Sequence, residues 1–93
     1  MKDLQSWIIN HDFAVFVHMI DGEQLIYHGG SGATHWLGAE PGFVFHLLWQ
    51  YKIPMTQKLL IDQARRNGFT QLDSLLLEAI LNELDALHLV KNS

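Results

Sequence analysis

Glycine placement fixes the architecture of the first half of this chain. Between Phe13 and Leu37 runs a stretch rich in Val, Ile, Phe, Tyr, Trp and Thr. It is cut twice, by Asp21-Gly22 and by Gly29-Gly30-Ser31-Gly32. Both interruptions are turn sequences: Asp-Gly favours a two-residue hairpin, and a glycine cluster supplies positive-φ positions without steric cost. The pieces left between them are Phe13–Ile20 (FAVFVHMI), Gln24–His28 (QLIYH) and Thr34–Leu37 (THWL). Their β-branched and aromatic content favours strands. Connections this short join antiparallel neighbours, which predicts a three-stranded antiparallel meander. In the first strand Phe13, Val15, Val17 and Met19 alternate with Ala14, Phe16, His18 and Ile20, so both faces are largely apolar.

The second half has a different texture, with no glycine between Phe43 and Asn67. Gly38-Ala39-Glu40-Pro41 ends the sheet, and proline suits a first helical turn, where its missing N–H costs nothing. Val44, Leu47, Leu48 and Tyr51 then fall on one helical face. Ile53-Pro54 interrupts the pattern. Thr56 caps a second helix with Leu59, Leu60, Gln63 and Ala64 on one side, and Asn67-Gly68 ends it. Thr70 is the expected cap of a third helix, from about Leu72 to Leu87, with Asp73 completing a weak capping box. Leu77, Ile80, Leu81, Leu84 and Leu87 share one face of that helix, and Leu72, Leu75 and Ala79 lie on a neighbouring sector. Leu89 and Val90 form a short apolar tail. The expected class is therefore α+β: a three-stranded antiparallel meander followed by three helices, winged-helix-like, in one domain of 93 residues.

Composition narrows the function. Six Lys and Arg against ten Asp and Glu give a net charge of −4, which disfavours nucleic acid and anionic membranes as partners. A winged helix that reads DNA is further opposed by Asp73, Glu78, Glu83 and Asp85 on the third helix, which carries no Lys or Arg. With zero cysteines there are no disulfides, thiol nucleophiles or Cys-ligated metals, and a reducing, cytoplasmic setting fits. No apolar run is long enough to span a bilayer, and the start MKDLQSWIINHDF lacks the apolar core of a secretion signal. The Gly-Gly-Ser-Gly run has no following Lys-Ser/Thr and reads as a hairpin turn, not a phosphate loop. Six histidines are present, but none in a dense ligand spacing. A site built from His18, His28 and His35 is conceivable, with partly exposed strand histidines as the plainer reading. No catalytic constellation emerges, and neither enzyme activity nor a cofactor is expected.

The element order resembles the PqqD family, the small domain type also called the RiPP recognition element. Two runs carry the resemblance. Leu25-Ile26-Tyr27-His28-Gly29-Gly30-Ser31-Gly32-Ala33-Thr34-His35-Trp36-Leu37 is similar to the branch associated with an HPr-kinase-related system, in which a Ser-Gly turn and a T-H-x-L strand precede the first helix. Leu81-Asn82-Glu83-Leu84-Asp85-Ala86-Leu87-His88-Leu89-Val90 resembles the family's terminal helix and its ending. The resemblance covers residues 13–90 and departs at His88, where glycine is commoner. Residues 1–12, with Trp7, Ile8 and Ile9, form an N-terminal extension outside it: an extra strand, a swapped arm or a loose tail. What the resemblance implies is a non-catalytic peptide chaperone. It would bind the leader of a ribosomally made precursor peptide as an added strand on the third strand of the meander, pack its side chains against the third helix, and present it to a modifying enzyme.

The residues fit that mechanism on their own terms. Thr34, His35, Trp36 and Leu37 form the last strand of a meander, whose outer edge offers unpaired N–H and C=O groups and holds no Lys or Pro to discourage pairing. Trp36 is the expected aromatic anchor. Leu72, Leu75, Leu76 and Ala79 are the expected apolar wall, with core packing as the alternative for Trp36 and these leucines, and the nearby acids would favour a leader carrying Lys or Arg. The same surface would serve a protein–protein adaptor for a kinase-like or nucleotidyltransferase-like partner. An open strand edge or the N-terminal arm also invites homodimerisation.

Overall fold

The computed structural model describes residues 5–21 and 23–93. The fold is α+β, with elements in the order β1 (Ser6–Ile9), β2 (Val15–Ile20), β3 (Glu23–His28), β4 (Thr34–Leu37), α1 (Ala39–Tyr51), β5 (Met55–Thr56), α2 (Gln57–Arg66), α3 (Ser74–Ala86) and β6 (Val90–Asn92). The strands form two antiparallel sheets, β2-β3-β4 and β5-β1-β6.

The first sheet is the meander that the glycines dictate. Gly22 of the first turn lies outside the described residues; its neighbour Asp21 has φ 50. The second turn is closed by His28 N–H donating to Ala33 O (2.9 Å) and Gly32 N–H donating to His28 O (2.8 Å), with Gly32 at φ 73. In the register, Phe16 is opposite Tyr27, His18 opposite Leu25, and Leu25 opposite Trp36. Since side chains alternate, one face carries Gln24, Ile26, His28 and Leu37, all buried, and the other carries Phe16, His18, Tyr27 and Trp36, all exposed.

The second sheet goes beyond the three strands expected from sequence. Of the alternatives open for the N-terminal extension, residues 6–9 take the first, an extra strand. Trp7 and Ile9 point into the core at 4% and 3% exposure, and β1 pairs with β5 on one side and β6 on the other. Trp7 stands opposite Met55 and Asn92, and Ile9 opposite Val90. The apolar tail at Leu89-Val90 thus leads into β6 and is fully buried.

The helices cover both sheets. Pro41 sits in the first turn of α1, which buries Val44, Phe45, Leu47 and Leu48 and leaves Tyr51 exposed. Thr56 caps α2 by accepting Leu59 N–H at 3.2 Å, and Gly68 ends it at φ 93. The α3 cap is Asp73, not Thr70: the Asp73 carboxylate accepts Leu76 N–H at 2.8 Å. This start leaves Leu72 just outside the helix and Leu77 one turn inside it. Both are buried in the same core, as in a hydrophobic staple. At the other end, His88 N–H bonds Asp85 O (2.9 Å) and Leu89 N–H bonds Leu84 O (3.0 Å), with His88 itself at φ 60. That is a Schellman ending with histidine in the left-handed position. His88 therefore fills a cap position that usually favours glycine.

Candidate functional site

β4 is a sheet edge: among the described residues it pairs with β3 alone. Alternation identifies its free groups. His28 N–H bonds Ala33 O, so residues 33, 35 and 37 turn their main-chain groups toward β3, and Thr34 and Trp36 turn theirs outward. The edge therefore presents the N–H and C=O of two residues whose side chains lie on the exposed face of the meander. Trp36 is 51% exposed, and its Nε1–H donates to Glu23 Oε1 at 2.9 Å, which lays the indole along that face. Thr34 is exposed, His35 half-buried and Leu37 buried.

Beside this edge the exposed face carries a shallow depression of about 220 Å³, lined by Phe16, Val17, His18, Leu25, Tyr27 and Thr34. The Phe16 and Tyr27 rings lie 6.0 Å apart. Trp36 is exposed on the same sheet face as these two rings.

The expected wall on the third helix divides. Leu75 is 77% exposed and Leu76 37%, and Ala79 is exposed beside them. Leu72 is 1% exposed and belongs to the core, because the helix starts two residues later than its periodicity implies. Leu37 is likewise core, at 4%. β4 packs on β3 and α1, and α3 packs on α2, α1 and β6, so α1 is the neighbour that edge and wall share. Of the acids, Asp73 is occupied as a helix cap and Glu83 is exposed.

The three-histidine arrangement separates across the sheet. His18 lies on the exposed face, opposite Leu25; His28 and His35 lie on the other face with Ile26. Among the described residues no group of three His, Cys, Asp or Glu side chains is placed to hold a metal ion. His28 has a structural role that sequence reasoning missed. Its Nδ1 accepts Ser31 N–H (3.1 Å) and lies 3.2 Å from Ser31 Oγ, which puts the ring proton on the buried Nε2. The ring also packs 4.8 Å from that of Phe13, so it ties the glycine turn to the segment before β2. The signal available in sequence was a histidine three residues before a serine inside the turn.

Comparison with protein-family models, with curated proteins and with solved structures gave no match. Among the described residues no helix is long and apolar enough to cross a membrane.

Proposed function

We propose that this chain is a non-catalytic, cytoplasmic peptide-recognition domain of the PqqD type, with a winged-helix-like helical part. In this reading it binds the leader of a ribosomally made precursor peptide by strand addition at β4 and presents it to a modifying enzyme. The observation that carries the reading is the unpaired edge at Thr34 and Trp36. A strand docked there gains main-chain hydrogen bonds and sets alternate side chains over Trp36. On the helical side the reading assigns the apolar contacts to Leu75, Leu76 and Ala79, which are exposed on α3.

The test is titration of the intact protein with synthetic peptides that span the leaders of short precursor genes beside its own, followed by amide chemical shifts. Binding should move the Thr34 and Trp36 amides most, and Trp36→Ala should weaken it by at least about tenfold. Binding that leaves those amides unmoved would overturn strand addition.

A second reading has its own support. The exposed face with Phe16, Tyr27 and Trp36 is wider than one added strand would cover. An adaptor that docks a folded kinase-like or nucleotidyltransferase-like partner would use that face, and a pull-down that returns such an enzyme without a peptide would favour it.

A further inference from the structure

The opposite edge of the meander, β2, is also unpaired among the described residues. It is six residues long and holds no Asp, Glu, Lys, Arg or Pro. Gly29 N–H bonds Ala14 O, so by alternation residues 14, 16, 18 and 20 turn their main-chain groups toward β3, and Val15, Val17 and Met19 turn theirs to the free edge. The second half of β2 is exposed on both faces: Met19 at 60% on one, Ile20 at 39% on the other. Nothing within the described chain covers it.

We infer that β2 pairs with β2 of a second copy, antiparallel about a two-fold axis through His18. In this register Val17 faces the partner's Met19, Phe16 faces the partner's Ile20, and His18 faces the partner's His18. It matches outward-turned main-chain groups throughout and overlaps the whole of Val15–Asp21. Each exposed Met19 then extends the margin of the partner's core, against which Val15 and Val17 already pack.

Charge supports the same arrangement. At the start of β2 lies a depression of about 260 Å³ that touches both Val15 and Phe16, and therefore opens on the free edge. Its rim carries Lys52, which sits 5.4 Å above the Trp49 ring, and His11. Antiparallel pairing brings the partner's Asp21, an exposed acid in the turn after β2, toward Lys52 on this rim, twice by symmetry. Asp12 does not compete for Lys52, because it lies 3.7 Å from Lys91. The dimer leaves β4 open, since β3 separates the two edges, so it stands or falls independently of peptide binding.

The chain has no cysteine, so His18→Cys introduces a single thiol. Opposed non-hydrogen-bonded residues of an antiparallel pair are about 4.5 Å apart at Cα, within disulfide reach. Under mild oxidation His18→Cys should give a disulfide-linked dimer, and Trp36→Cys, which reads the β4 edge, should not. Met19→Lys should raise the dimer dissociation constant by at least about tenfold in sedimentation equilibrium, with an unchanged circular dichroism spectrum. A chain that stays monomeric at millimolar concentration, cross-linking at Trp36→Cys in place of His18→Cys, or an unchanged constant in Met19→Lys would each overturn the inference.

Discussion

Proline substitution along β4 separates its two sets of main-chain groups. Thr34 and Trp36 turn their N–H groups to the open edge, and His35 turns its N–H into the ladder with Ile26. Proline removes one donor wherever it is placed, and tolerance depends on where that donor points. His35→Pro deletes an interstrand hydrogen bond in a half-buried position and leaves a β3 carbonyl without its partner. The lost bond and the unsatisfied acceptor together cost about 2–4 kcal/mol. Thr34→Pro deletes an N–H that faces solvent. Its cost is confined to fitting φ near −65°, about 1 kcal/mol or less. Urea denaturation of both variants should therefore show a difference of about 2 kcal/mol, equivalent to a midpoint separation of about 1–2 M at typical slopes. In the peptide titration the order reverses in importance: Thr34→Pro keeps the fold and loses a bond to the added strand. Equal destabilisation by the two substitutions would refute the assignment of free groups, and with it the vacant edge.

The remaining predictions concern the frame that holds this edge. His88→Gly should stabilise the protein by about 0.5–1 kcal/mol, because the left-handed position carries a β-carbon penalty; loss of the Phe13–His88 ring contact at 6.3 Å trims the gain, and thermal melts will read it. Asp73→Ala should cost about 1 kcal/mol and Thr70→Ala much less in the same assay, which distinguishes the observed cap from the one expected by spacing. Ile9→Ala should cost about 2–5 kcal/mol, since its side chain is buried in the core. An effect below 1 kcal/mol there would mean that β1 is not an integral strand.

The meander was legible because turn-forming residues separate its strands in sequence and alternation fixed its faces; Thr34–Leu37 is the same segment in sequence and structure. The buried face of α3 was equally legible, with Leu77, Ile80, Leu81 and Leu84 all in the core. The second sheet was not. β5 has two residues and β6 three, too few for any period to register, and β1 becomes a strand only because those partners exist. Leu72 was misplaced for a related reason. Helical periodicity extends smoothly through it, yet the Asp73 carboxylate caps the helix at the Leu76 amide and leaves Leu72 outside the helix and inside the core. Leu75 and Leu76 are exposed because their spacing sets them off the face of Leu77, Ile80, Leu81 and Leu84. The candidate site was thus readable where it depends on main-chain alternation, and ambiguous where it depends on the phase of one helix.

The strand order β5-β1-β6 has a kinetic consequence. β1 lies near one end of the described chain and β6 at the other, so this pairing joins segments separated by almost the entire described sequence, while β5 lies between them in the chain. Closing so long a loop is an entropic obstacle that ordinarily slows assembly. Until it closes, Trp7 and Ile9 belong to a strand with only the short β5 beside it. Refolding should therefore end with the docking of β6, and agents that bind nascent apolar strands should act on this segment before any other.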